Sequence, residues 1–203
     1  MSVRSEPPLP AESLPDEELV ARSKNARPGD MRAFTTLIGR HQDGVQANCR
    51  YLSGSAADAE DLAQEVFVRV FFGLKRFEGR SSFRTWLRTV KANHCINYLK
   101  KRKGAAFLDL DAPAARASDG LRVQPVGEKD LTREAQRKRI QSILGAMPDS
   151  LRIPLVLRDM DGFSYDEIAH ELGIGLSATK MRIKRGREMF RSLHAGEEAG
   201  AQP

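Results

Sequence analysis

GFSYDEIAHELGIGLSATKMRIKRGREMF, residues 162–190, holds two helical periods separated by a glycine turn. Ile168, Ala169 and Leu172 mark the apolar side of a short amphipathic helix, with Ser164 placed as its N-cap and Glu167 three residues on to complete a capping box. Gly173 ends that helix with a backbone able to take positive φ, and Ile174 pins the turn. The helix that follows aligns Thr179, Ile183, Gly186, Phe190 and Leu193 on one seam and leaves Lys180, Met181, Lys184, Arg185 and Arg187 outward. Two short helices, a glycine turn and a basic second helix describe a DNA-reading helix-turn-helix, in which outward side chains reach base edges in the major groove.

Outward from this motif the pattern stays helical. From Glu128 to about residue 195 it is broken only at Met147-Pro148, Asp161-Gly162 and Gly173 to Gly175, and residues 196–203 form a small acidic tail expected to fray. Residues 104–127 are rich in Ala, Gly, Pro and Asp, support no periodicity and read as a flexible interdomain linker. Residues 16–103 are again helical, with breaks at Pro28-Gly29-Asp30, Ser53-Gly54-Ser55 and Phe77 to Ser82, and nothing alternates with period two. Residues 1–15 carry four prolines and read as a disordered arm. The expected fold is all-α: two small helical domains joined by a flexible linker, the second a helix-turn-helix domain.

The formal net charge of +6 is unevenly placed. Residues 75–103 balance to +9, residues 177–194 to +5, and everything else to −8. Two separated basic segments suit two contact points on one long polyanion, because each Lys or Arg seated on a phosphate releases condensed counterions. No apolar run approaches the roughly 18 residues that would span a bilayer, and none near the N-terminus has signal-peptide character, so no membrane insertion and a cytoplasmic location are expected. Cys49 and Cys95 make no disulfide framework and lack metal-ligand spacing, which leaves them as buried or idle thiols.

DAEDLAQEVFVRVFFGL, residues 58–74, winds into a helix with Leu62, Ala63, Val66, Phe67, Val70, Phe71 and Leu74 on a broad apolar face and Asp58, Asp61, Glu65 and Arg69 opposite. The acidic row admits three readings: a docking surface for a basic partner, a solvated face favoured by the helix dipole, or a metal site. A metal site calls for carboxylates converging from several elements, whereas these lie in one row. After the loop Phe77-Glu78-Gly79-Arg80-Ser81-Ser82 comes FRTWLRTVKANHCINYLKKRK, residues 83–103. Here Phe83, Trp86, Leu87 and Val90 repeat at helical spacing, Arg84, Arg88 and Lys91 share an adjacent face, and the apolar seam blurs after Ala92, where Asn93, Asn97 and Tyr98 appear. Phe83 and Trp86 read as core. Phe77, at a loop tip between charges, and the neighbouring basic and amide side chains suit stacking and hydrogen bonding of unpaired bases.

The runs DAEDLAQEVF and FEGRSSFRTWL, and the order acidic helix, basic helix, linker, helix-turn-helix, resemble the extracytoplasmic-function group of bacterial sigma factors of the sigma-70 family. The resemblance implies a non-enzymatic, cofactor-free and metal-free promoter-specificity subunit whose partners are core RNA polymerase, promoter DNA and an anti-sigma factor. It implies core-polymerase contacts along the helix from Asp61 to Leu74, and the residues taken for that contact are Asp58, just before this span, and Asp61, Leu62, Gln64, Glu65, Phe67 and Arg69 within it. Phe77 and Asn93 would cradle a base flipped from the non-template strand of the −10 element, Arg84, Arg88 and Lys91 would contact backbone and duplex just upstream, and Arg80, Ser82 and Asn97 complete the −10 set. Ser177, Thr179, Lys180, Met181, Lys184, Arg185 and Arg187 would meet the −35 element. The family's usual Gly-Thr-Val-Lys-Ser-Arg is replaced by Ser177-Ala178-Thr179-Lys180-Met181-Arg182, and Gly175 stands where a capping Ser is usual; Met181 bears on −35 preference. Two rivals stand beside this reading: a stand-alone helix-turn-helix regulator, and a metal-dependent DNA-processing enzyme using the acidic helix.

Overall fold

The computed structural model describes residues 13–104 and 133–199, and among them every regular element is a helix. The N-terminal domain has α1 (Asp16–Lys24), α2 (Arg32–Ser53), α3 (Ala56–Leu74) and α4 (Phe83–Lys103). The C-terminal domain has α5 (Arg133–Gly145), α6 (Asp149–Leu155) continuing as a π turn (Val156–Met160), α7 (Tyr165–Leu172) and α8 (Leu176–Ala199). The linker reading over 104–127 lies outside the described residues except for Gly104.

Side-chain caps start α3 and α4 of the N-terminal domain. Ser55 caps α3 by accepting from the Asp58 N–H, and Ser82 caps α4 by accepting from the Thr85 N–H, each satisfying an amide that the first turn leaves orphaned. Leu37, Leu52, Leu62, Val66, Val70 and Phe83 are fully or almost fully buried where α2, α3 and α4 meet. Cys49 of α2 and Cys95 of α4 face each other in this core, Sγ to Sγ 3.7 Å, as free thiols. In the C-terminal domain α6 carries Pro154, which has no N–H to donate, and the helix then widens into the π turn that ends at Asp161, whose N–H donates to the Val156 carbonyl at 3.1 Å.

Several expectations require correction. Leu14, placed in the disordered arm, is buried, and its carbonyl accepts from Arg40, so structure starts before residue 16; residues 1–12 lie outside the described set. The tail expected from 196 is helical through Ala199, because α8 runs on without a stop at Gly196. The seam of α4 does not blur after Ala92: Ala92, Cys95, Ile96 and Leu99 are all buried, so it continues at i+3 and i+4. Phe71 is 43% exposed rather than core, resting edge-on against Phe34 and Phe72 at the rim of α3.

The two domains touch. Arg152 of α6, only 1% exposed, donates to the Leu52 carbonyl at 3.2 Å, placing a cation at the C-terminus of α2 where helix carbonyls converge. Gly54 caps α2 there with φ of 69°, and a Cβ at this position would lie 2.5 Å from the Arg152 guanidinium. Only glycine meets both demands, the left-handed backbone and the close approach.

Candidate DNA and polymerase interfaces

In the helix-turn-helix, Ser164 Oγ accepts from the Glu167 N–H (3.1 Å) and Glu167 Oε2 from the Ser164 N–H (2.6 Å), the reciprocal box expected from the sequence. The Ser164 amide holds the Glu167 carboxyl below its ordinary range. Its contribution is therefore present above that range and lost as pH falls through the lowered value. Gly173 closes α7 with φ of 69°, and the Ile174 N–H returns to the Ala169 carbonyl at 3.0 Å. Ser164→Ala should cost about 1 kcal/mol in urea unfolding of the full chain; a loss under a few tenths would mean that the cap is not limiting.

Beyond the turn, Ile183 and Thr179 of α8 are buried, while Ser177, Lys180, Met181, Lys184 and Arg185 are exposed along one side. Two −35 expectations are corrected. Thr179 is 0% exposed and its hydroxyl donates back to the Gly175 carbonyl one turn earlier (3.1 Å), so it faces inward rather than toward DNA. Arg187 makes a forked pair with Asp159 (2.5 and 2.9 Å), which raises its pKa further and ties α8 to the π turn.

The acidic row on α3 divides by partner. Asp61 and Gln64 are exposed, as is Arg69. Asp58 is engaged by Arg102 from the end of α4, and Leu62 is core at 2% exposure, so neither is presented to a partner as expected. Phe67 is half-buried against the core. Glu65 is mostly exposed, with Oε2 3.0 Å from His94 Nε2. Burial, aided by Arg69, lowers the His94 pKa, so at neutral pH the ring is uncharged and the Glu65 charge stays available. Sequence reasoning missed Val68 (55% exposed) and Phe72 (71%), which continue the Asp61 and Glu65 stripe at i+7. That heptad spacing was the signal that could have found them: acidic at the start of the stripe, apolar at its end.

The basic helix is less open than its sequence suggests. Phe77 is half-buried, its ring tilted by 36° against Trp86 at 5.0 Å between centroids, with its carbonyl accepting from Lys24 (2.8 Å). Arg80 pairs with Glu78 at the surface and Ser82 is spent as the α4 cap. Arg84 and Asn97 are exposed. The other three −10 residues face the C-terminal domain. Lys91, 6% exposed, bonds Asp161 Oδ1 at 2.5 Å. Arg88 donates to the Asp161 and Gly162 carbonyls (3.0 and 3.2 Å) and lies 4.2 Å over the Phe163 ring. Asn93, its amide nitrogen turned inward, donates to Glu171 Oε1 at 3.1 Å. Lys91, Arg88 and Asn93 are thus covered by the C-terminal domain in this arrangement rather than open. Asp161 and Glu171, which cover them, carry no local sequence signal.

Among the described residues no cluster of three or more His, Cys, Asp or Glu side chains could hold a metal ion, and no helix is long and apolar enough to cross a membrane.

Comparison with known proteins matches residues 37–105 to sigma-70 region 2 and residues 137–190 to sigma-70 region 4. The ECF RNA polymerase sigma factor SigW of Bacillus subtilis is 31% identical over 177 residues, covering 84% of this chain and 93% of the relative. The ECF RNA polymerase sigma-E factor of Escherichia coli K12 is 31% identical over 183 residues, covering 88% and 93%. Among solved structures, CnrH in complex with the cytosolic domain of CnrY superposes with a TM-score of 0.54 at 25% identity, covering 89% of this chain and 97% of that one. The sigma factor RpoE in complex with the anti-sigma factor NepR from Bartonella quintana shares the fold, with a TM-score of 0.53 at 22% identity over 80% and 96%.

Proposed function

Because this chain belongs to the ECF RNA polymerase sigma factors of the sigma-70 family, which direct transcription initiation, we propose how its own residues divide that work. Asp61, Gln64, Glu65 and Arg69, extended by Val68 and Phe72, dock α3 on core polymerase. Phe77 of the loop before α4 and Arg84, Arg88, Lys91, Asn93 and Asn97 of α4 take the −10 element as it opens. Ser177, Lys180, Met181, Lys184 and Arg185 meet the −35 duplex. The protein acts in the cytoplasm, where polymerase and promoter are, and performs no reaction on a substrate: pairing lost on melting is offset by phosphate contacts and base stacking worth roughly 1–3 kcal/mol per base. An anti-sigma factor is its regulator, a reading in keeping with the similar CnrH having been solved with a bound protein partner, the cytosolic domain of CnrY.

The observation that carries the −35 assignment is the outward row Met181, Lys184 and Arg185 on a helix whose other side is sealed by Ile183 and Thr179. Run-off transcription with core polymerase on a library of −35 sequences tests it. Arg185→Ala should cost about 1–3 kcal/mol of discrimination at one −35 position if the guanidinium reads a guanine edge. A loss equal for every −35 sequence would make Arg185 a phosphate contact instead. Wild-type chain inactive with core on every template would overturn the reading as a whole.

A further inference from the structure

Between residues 180 and 187 α8 carries the cations Lys180, Arg182, Lys184, Arg185 and Arg187, and the structure sorts them. Arg182 is turned inward and buried, Arg187 is forked on Asp159, and Lys180 Nζ lies 6.0 Å from the centroid of the Tyr165 ring on α7. Lys184 and Arg185 are exposed and, among the described residues, have no hydrogen-bond or ion-pair partner. Met181 stands one turn before this pair on the same exposed side and is not among the apolar groups packed on the core. Ser177 begins the row four residues earlier, and the exposed Glu188 ends it with a charge that phosphates repel. From Ser177 to Arg185 the helix rises about 12 Å, the length of three to four base steps.

A single exposed methionine is ordinary on a protein surface. At the centre of a row that enters the major groove it limits which base edge can lie opposite. The thioether has no hydrogen to donate and accepts only weakly. Over guanine it would strip water from N7 and O6 and return no donor, and over adenine the same holds at N7. The amino hydrogens of adenine and cytosine would lose their acceptor. Thymine alone presents an apolar group in that groove, the C5-methyl, beside a single acceptor. An unbranched side chain can lay its terminal methyl against it, while Lys184 and Arg185, one turn on, are placed for the thymine O4 or a flanking phosphate.

We infer that Met181 is a specificity-determining residue that reads the C5-methyl of a thymine, so that this chain prefers a T·A pair at one position of its −35 element. The inference rests on the assignment of α8 to the −35 duplex and adds the base that the middle of the row selects. Burying one methyl group is worth about fourfold in affinity.

The test uses the full chain assembled with core polymerase. Selection from promoters randomised over the −35 element gives the sequence that wild type prefers. Competition binding then compares that promoter with versions in which one −35 thymine at a time, on either strand, is replaced by deoxyuridine, which pairs in the same way and lacks only the methyl. Wild type should lose about fourfold at one thymine, and 5-methylcytosine at that position should bind about fourfold better than cytosine, because it returns the methyl on a different base. Met181→Gln, of similar length and helix propensity, should bind thymine and deoxyuridine alike there, while Met181→Leu should keep the dependence. The inference is overturned if the selected element has no thymine whose replacement weakens wild type, or if Met181→Gln keeps the wild-type loss. It is also overturned if Leu176→Gln, which changes the other exposed large apolar side chain of α8, removes the dependence as fully as Met181→Gln does. Failure of the underlying −35 assignment looks different: the selection would then return no preferred −35 sequence at all, whereas a preferred sequence without methyl dependence removes the role of Met181 alone.

Discussion

Replacing Asp61 by Arg together with Glu65 by Lys should weaken assembly of the full chain with core polymerase by about a hundredfold, near 2.7 kcal/mol. Both side chains lie on the exposed stripe of α3 that ends in Val68 and Phe72, and the buried His94 beside Glu65 is neutral at pH 7, so two full negative charges meet the partner. Reversing both sets like charges against a basic docking surface, which costs several kcal/mol across an interface. The helix itself should tolerate the change. Arg and Lys are good helix formers, and both sites lie beyond the first turn, where the dipole has faded. Titration of labelled chain with core, beside a Glu17→Lys, Asp43→Lys control that makes the same +4 change at exposed sites of α1 and α2, isolates the site from net charge. Wild-type affinity in the double variant would remove α3 as the docking element.

Arg152→Ala should destabilise the C-terminal domain by about 3–5 kcal/mol. The guanidinium is almost wholly buried, bonds Asp149 Oδ1 at 2.7 Å, and reaches across to the Leu52 carbonyl beneath Gly54. Burial lowers its pKa and Asp149 raises it, so the charge is held in place by that partner. Truncation leaves the Asp149 carboxylate, 7% exposed, without its guanidinium, and opens a void at the domain boundary. Urea unfolding followed by far-UV circular dichroism measures the loss. The single tryptophan, Trp86, sits in the N-terminal domain and should show a smaller shift, limited to the lost interdomain contact. A total loss below about 1 kcal/mol would mean that the buried pair contributes little beyond packing.

How far the sequence could be read depended on the range of each interaction. The capping box at Ser164 and Glu167, the left-handed Gly173 and the inward side of α8 were legible because each is settled within about four residues. The acidic stripe was legible in its charges and missed in its apolar end, although Val68 and Phe72 fall off the apolar face of α3 and repeat Asp61 and Glu65 at i+7; their exposure shows that they extend the stripe. Periodicity already set Thr179 on the inner seam of α8, where it is buried; its place among the −35 residues, which came with the resemblance, is the part the structure corrects.

By itself, then, the sequence determined an all-helical chain of two domains, the helix-turn-helix, and the placement of basic charge on α4 and α8, all of which follow from periodicity, capping and local charge. Only the tertiary structure decided which of those charges are open. Arg88, Lys91 and Asn93 read alike whether they face solvent, DNA or a carboxylate, and their partners Asp161 and Glu171 lie about 70 residues or more away along the chain. An ion pair over that separation leaves no period in the sequence. It exists because closing the domains brings the two charges into a region that water has left, where a lone charge is costly and a paired one is held.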